Sequence, residues 1–503
     1  MMQFFGHSLK GQVLVPGDKS ISHRALMFAA LSPLSSQIQG LLPSADVKAT
    51  AGMLRALGAK IDWPGDSAVN AADPYAPGQP VLATVKGGLP FNEPFGILNA
   101  DNSGTTMRLM TGLLAGAMAT REDGGYAVIT GDNSLLKRPM GRVLLPLAHM
   151  GANVHGRASN TLAPVSILPT GGLLRGLTYS FPVASAQVKS ALLLAGLFAD
   201  GPMRLMEPVF TRDHTERMMQ YCGVPLTIEA EWPTREDGDY DDFDDEHGEA
   251  SQLPIGQTLM LEGFDWEQFY EPEKCHWPTQ WQVPGDISSA AFWMIAASLV
   301  PGASVKLLNV GLNPSRTGLL DVLLEAGANI SVENQREFCG EPVADLIVES
   351  AELSGDITLD ADVLPRLIDE IPVLAVGAVW LNGVLKVTGA EELRKKESDR
   401  IGLMAALLNS VGVTLDVQED GFTLQGSPER ALLATVLLNQ AGQLSVTTHG
   451  DHRIAMAASI LQCVAQARGQ WPESLSLAID SPECVAVSYP DFFADLQRLR
   501  QAT

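Results

Sequence analysis

The chain has 503 residues, of which 46% are hydrophobic and 18% charged, and a formal net charge of −24. That length exceeds what one hydrophobic core usually spans, so two domains are expected, and the composition is ordinary for a globular enzyme. The acidic balance argues against a general binder of nucleic acid or anionic membrane, which leaves any basic cluster in need of a local cause.

From the N-terminus, MMQFFGHSLKG lacks a basic leader and a long apolar core, and no run of about 18 apolar residues follows anywhere. A cytoplasmic chain without membrane spans is expected. Five cysteines, odd in number and without a C-x-x-C pair, suit unbonded thiols better than disulfides or zinc. Next comes VPGDKSISHRALMFAAL, and after residue 280 a second copy reads VPGDISSAAFWMIAASLV. In both, Pro and Gly break a strand, Asp18 or Asp286 can cap a helix, and Ser20 or Ser288 lies in its first turn. Only the first copy adds Lys19, His23 and Arg24. The two copies mark where the chain passes between two lobes, residues 17–284 forming one and residues 1–16 with 285–503 the other.

Between these joints a unit recurs in which an apolar helix ends at Gly and a short strand follows: MLRALGAKI, LLPLAHMGANV, RMMQYCGVPLTI, VLLEAGANI and LLNSVGVTL. With strand-like YAVITG, VSILPT and VLKVTG, the pattern predicts an α/β protein of repeated subdomains. TREDGDYDDFDDEHGE interrupts it, an acidic stretch read as a solvated insertion at about 231–250.

Polar chemistry gathers where apolar helices begin: GDKSISHRALM, NADNSGTTMRLMTGLLAG, SAQVKSALLLAG, TRDHTERMM, KESDRIGLMAALL and GDHRIAMAASI. Each opens with Ser, Asn, Asp or Gly and carries Lys or Arg in or near its first turn. A helix N-terminus holds about half a positive charge, which disfavours cations there. Six exceptions are reconciled if these ends converge on a bound anion, shared by backbone N–H and guanidinium groups. The expected site is an inter-lobe cleft for a substrate with several anionic groups.

G-D-K-S-I-S-H-R, N-S-G-T-T-M-R, G-D-N-S-L-L-K-R-P-M, S-A-Q-V-K-S-A, T-R-D-H-T-E, R-K-K-E-S-D-R and G-D-H-R-I-A-M resemble, in order from about residue 8 to 498, the EPSP synthase family, and its second class more than its first. The resemblance implies two pseudo-symmetric domains of repeated βαβαββ subdomains, the inside-out barrel of enolpyruvyl transferases. It also implies transfer of the enolpyruvyl group of phosphoenolpyruvate to the 5-hydroxyl of shikimate 3-phosphate, releasing phosphate through a tetrahedral intermediate. That reaction belongs to the shikimate route to chorismate and aromatic amino acids. No metal or organic cofactor is implied, the partners are the two small substrates, and a monomer is expected.

By the same resemblance Lys19, Ser20, Arg24, Ser185, Ala186, Gln187, Arg212, Asp369 and Lys396 hold shikimate 3-phosphate. Lys19, Asn102, Gly104, Arg138, Gln187, Arg400 and Arg453 hold phosphoenolpyruvate, with Arg108 as a brace. Asp369 is the proton acceptor, Glu397 the donor or relay, and Lys19 a shuttle or bridge, although adjacent Glu370 competes with Asp369 on motif alone. Arg212 has a rival role as an ion-pair partner of Asp213 or Glu216, and Asn102 as a helix cap. Gly104 goes with sensitivity to glyphosate in this family. Val487 stands where first-class members carry a Lys near phosphoenolpyruvate, so that contact does not transfer. The His residues of SHR, DHT and DHR are read as outer hydrogen-bonding groups. Two rival readings are the sister transferase acting on UDP-N-acetylglucosamine, against which no Cys precedes Cys222, and a non-catalytic anion-binding protein.

Overall fold

The computed structural model describes residues 8–64, 82–121, 123, 125–232, 254–263, 277–432, 442–472 and 475–501. The acidic stretch TREDGDYDDFDDEHGE, 234–249, and Cys275 lie outside the described residues.

One sheet motif is repeated through the molecule. Strand Gln280–Gln282 lies parallel to Ser35–Gln39, which runs antiparallel to Leu82–Lys86, itself antiparallel to Lys60–Asp62. The same order, one parallel pair and then two antiparallel ones, recurs in sheets built on Ala127–Thr130, Met203–Glu207, Ser304–Gly311 and Val384–Val387. Leu444–Val446 and Leu477–Ile479 add one more parallel pair. The five helix–Gly–strand segments each supply the outermost strand of one four-stranded sheet. Their glycines, Gly58, Gly151, Gly223, Gly327 and Gly412, all have φ between 75° and 103°, the left-handed turn that closes a helix and that a Cβ disfavours.

Among the described residues, nine helices position the chemistry: α1 (Lys19–Leu31), α2 (Ala45–Ala56), α3 (Gly104–Ala119), α4 (Ala186–Gly196), α5 (His214–Tyr221), α6 (Ile287–Leu299), α7 (Ile371–Gly377), α8 (Arg400–Ser410) and α9 (His452–Ala467). All thirteen residues of α6 are buried, as are Ile21 to Leu31 of α1, so both helices are enclosed by the fold, α1 with Ser22, His23 and Arg24 among its buried residues. α3 and α4 touch backbone to backbone, since a Cβ on Gly112 would sit 2.1 Å from the Ala191 carbonyl oxygen. No described helix is long and apolar enough to cross a membrane.

Buried apolar side chains fall into two clusters. One joins Leu9, Val13 and Val15 to residues between Ile287 and Leu499, and the other runs from Ile21 to Val283 with Cys339. The strand Lys10–Leu14 pairs with Ser304–Gly311, which carries the first residues into the second cluster. The chain crosses between the clusters at the two V-P-G-D joints, and the crossings bind each other: Asp18 N donates to Pro284 O and Asp286 N to Pro16 O, both at 2.8 Å. Gly17 is required there, because a Cβ would fall 1.8 Å from Gly40 O.

Candidate active site

The helix starts of the first lobe carry a set of cations. Asp18 caps α1 by accepting from Ile21 N at 2.8 Å, which leaves Lys19 and Ser20 in the first turn. Lys19 Nζ lies 3.2 Å from Asp46 Oδ2 at the start of α2. Arg24, one turn on, is 3% exposed and donates to Thr215 Oγ1, Ser20 O and Ser190 Oγ at 2.7–2.9 Å. Burial pushes its guanidinium down to about 10, against the pull of Glu216 and Asp18, so it stays charged, and its direct partners are all uncharged oxygens.

Ser185 caps α4, Ala186 opens the helix, and Gln187 reaches across to α3, accepting from Arg108 Nη1 at 2.5 Å and donating to Thr105 Oγ1 at 3.0 Å. Ser103, not Asn102, is the cap of α3, and Asn102 accepts from Arg138 Nη2 at 3.1 Å. Gly104 follows, where a Cβ would lie 3.0 Å from Arg108 Nη1 and 3.3 Å from Arg138 Nη1. Burial first, then Arg142 and Arg138, push Arg108 down to about 10. Among the described residues neither Arg108 nor Arg138 has a carboxylate partner. Positive charge is left unbalanced at the start of α3, the arrangement that a bound anion completes.

On the facing lobe, carboxylates and cations interlock. Arg400, 1% exposed at the first position of α8, holds Glu397 Oε2 at 2.6 Å, Asp451 Oδ2 at 2.9 Å and Asp369 Oδ1 at 3.3 Å. Asp369 Oδ1 also lies 3.6 Å from Lys396 Nζ, and Arg453 Nη1 donates to the Asp369 carbonyl at 3.0 Å. Arg212 crosses from the first lobe to place Nη2 2.8 Å from Asp369 Oδ2. Its alternative partners are engaged elsewhere: Asp213 by Arg217, and Glu216 by Lys189. Burial alone would raise the Asp369 carboxyl, but Lys396, Arg453, Arg212 and Arg400 outweigh it and hold the group well below the usual carboxylate range. For Glu397, burial is likewise overridden, by Arg400, His452 and Lys19, the last of them from the first lobe. The neighbour of Asp369 goes elsewhere: Glu370, 1% exposed, accepts from Ser288 Oγ and faces Arg316 at 3.7 Å.

Two cations of the six basic helix starts depart from the expected convergence, although Arg212 of T-R-D-H-T-E joins it at Asp369. Lys189 of S-A-Q-V-K-S is buried and paired with Glu207 and Glu216, both at 2.7 Å, and Arg217 of α5 binds Asp213 at 2.8 Å. Lys189 serves the lobe's interior, and Arg217, which also donates to Gly340 O at 3.4 Å, its contact with the second lobe. Residues overlooked in the sequence are Asp46, Asp451 and Arg316. Asp46 resembles any acid in a first turn, and Asp451 any helix cap; only the fold shows them holding Lys19 and Arg400. Val487 ends the 3-10 turn Pro482–Val487 and is half-buried.

Repeated sheets around buried helices, in two lobes with facing cation-rich helix starts, define the two-lobed enolpyruvyl-transferase class. The solved structure of EPSP synthase from Acinetobacter baumannii is similar, with a TM-score of 0.75 and 35% identity, covering 98% of this chain and 96% of that one. The family model described as EPSP synthase (3-phosphoshikimate 1-carboxyvinyltransferase) matches residues 5–238 and 265–496. Relatives called 3-phosphoshikimate 1-carboxyvinyltransferase include one from Synechococcus sp. (strain WH7803), 42% identical over 98% of this chain and 97% of its own length. Another, from Bacillus cereus (strain 03BB102), is 39% identical over 99% and 98%. The chain belongs to the EPSP synthase family.

Proposed function

We propose that this enzyme transfers the enolpyruvyl group of phosphoenolpyruvate to the 5-hydroxyl of shikimate 3-phosphate and releases inorganic phosphate. The observation that carries the reading is Asp369, a half-buried carboxylate met by Arg212 from one lobe and by Lys396 and Arg400 from the other. Lys19, Ser20, Arg24, Ser185, Ala186, Gln187, Arg212, Lys396 and Asp369 bind shikimate 3-phosphate. Lys19, Asn102, Gly104, Arg138, Gln187, Arg400 and Arg453 bind phosphoenolpyruvate, whose carboxylate and phosphate match guanidinium forks.

Chemistry begins as the methylene carbon of phosphoenolpyruvate gains a proton and the 5-hydroxyl oxygen bonds to the adjacent carbon while losing its own. The tetrahedral adduct then sheds phosphate by breaking its C–O bond as a methyl proton leaves, restoring the double bond. A strongly depressed carboxylate is a weak base, so Asp369 gains basicity when substrate anions take over Arg212, Lys396, Arg400 and Arg453. Substrate binding thereby switches on the acceptor of the 5-hydroxyl proton. Glu397, beside Arg400 and in the field of Lys19, donates or relays the proton to the methylene. The enzyme works as a cytoplasmic monomer of two lobes, 17–284 and 1–16 with 285–503, and uses no metal or organic cofactor.

Phosphorus NMR on the purified protein with both substrates tests this directly. Equal appearance of inorganic phosphate and an enol ether is expected, with Asp369→Asn lowering kcat by about 10²–10⁴-fold. Product only with UDP-N-acetylglucosamine as acceptor, or none at all, overturns the reading.

A further inference from the structure

A buried chain of hydrogen bonds joins three helices of the first lobe, from the second turns of α1 and α2 to the start of α3. His23 Nδ1 on α1 lies 2.7 Å from Thr50 Oγ1 on α2, which lies 2.7 Å from Thr106 Oγ1 on α3. The Thr106 hydroxyl donates to Ser103 Oγ at 2.8 Å, and the Thr106 backbone N–H donates to the same oxygen at 3.1 Å. All four residues are at most 1% exposed. Thr106 Oγ1 also lies 3.3 Å from the carbonyl of Asp46, whose carboxylate pairs with Lys19.

The chain has a direction. His23 Nε2 is buried without a hydrogen-bond partner, and an orphaned buried N–H is rarer than an unfilled acceptor. The ring proton therefore sits on Nδ1, and donation runs from His23 through Thr50 and Thr106 to Ser103. Burial keeps the imidazole neutral, pushing it down to about 3, with Lys19 and Arg24 acting in the same direction against Asp46.

We infer that His23, acting through Thr50 and Thr106, is a positioning residue that sets the start of α3 in register with the start of α1. α1 presents Lys19, Ser20 and Arg24, whereas α3 presents Gly104 one residue beyond the chain's last member, so the link fixes the separation of the two anion-holding ends. The inference rests on the reading above that the start of α3 holds phosphoenolpyruvate. Losing the link removes the hydrogen-bonded tie between the start of α3 and α1, while α3 keeps its packing on α4 and Arg24 its own bonds to Thr215 and Ser190.

Thr50→Val removes the central hydroxyl at nearly constant shape. It is expected to raise KM for phosphoenolpyruvate about 5–20-fold, leaving KM for shikimate 3-phosphate and kcat within about twofold. Thr50→Ser should restore the wild-type values. An unchanged KM for phosphoenolpyruvate, or equal increases in both KM values, overturns the inference, the second outcome marking a merely structural role. Nitrogen NMR of histidine-labelled protein gives a readout independent of turnover: His23 should be protonated at Nδ1 in the wild type. A proton on Nε2 overturns the inference. If the wild-type enzyme turns over neither substrate, the functional reading falls, and the tautomer still decides the direction of the chain.

Discussion

The two V-P-G-D joints begin alike and end differently. Asp18 and Asp286 cap α1 and α6 through bonds of 2.8 and 2.9 Å, and each joint donates a backbone bond to the other. At α6 the next residues are Ile287 and Ser288, and Ser288 is locked between Arg316 Nη2, at 2.6 Å, and Glu370. Arg316 lies 3.5 Å from both Asp18 and Asp286, closing the second joint into a buried hinge. At α1 the equivalent positions carry Lys19 and Ser20, which remain at the cleft. The same backbone turn can thus spend its positive end on internal carboxylates or hold it for a ligand, and one side chain after the cap decides which.

Lys19→Met should break this distinction most strongly, making the first joint as apolar as the second. Turnover is expected to fall at least about 100-fold, while thermal unfolding shows a loss of only about 1 kcal/mol, because the Lys19–Asp46 pair is partly exposed. Lys306→Met, at a surface pair with Glu333, should leave turnover unchanged and serves as the control. A Lys19→Met enzyme that keeps full activity would show that the first joint is no more chemical than the second.

Arg316→Met attacks the other side. It leaves Asp18, Asp286 and Glu370 buried without their shared cation, so denaturant unfolding should report a loss of about 3–5 kcal/mol. Little change would mean that these carboxylates protonate at small cost and that the hinge does not depend on charge.

The last effect concerns acid. His23 on α1 occupies the place of Ala291 on α6, and burial pushes the imidazole down to about 3. Between pH 6.5 and about 3 the unfolded chain binds a proton there that the folded one refuses, so stability falls as pH falls, by up to about 1.4 kcal/mol per pH unit. His452, buried between Arg453 and Lys19 and also pushed down to about 3, adds in the same direction. His23→Gln should flatten the His23 part of the profile measured by denaturant unfolding; an unchanged slope would mean that the imidazole protonates in the folded state.

Much of the architecture was legible because it rests on local rules. Five Gly-terminated helices announced five outer strands, since a left-handed turn after a helix selects Gly within its own few residues. Caps at Asp18 and Asp286 were equally plain, each bonding within its own helix's first turn. The basic helix starts pointed to anions, yet sequence did not separate Arg24, held by hydroxyls for the cleft, from Lys189, neutralised by Glu207 and Glu216. That difference depends on which way each helix face turns and on carboxylates supplied by distant segments.

By itself, then, the sequence determined the class of fold, the family and the chemical character of the cleft, because periodicity, caps and motifs act over a few residues. Only the tertiary structure decided which of Asp369 and Glu370 meets the cations, that Asp46 and Asp451 hold Lys19 and Arg400, and that one arginine serves both joints. Those outcomes depend on charges brought within about 4 Å across separations of up to 298 residues, where Coulomb attraction and desolvation compete and neither is readable along the chain.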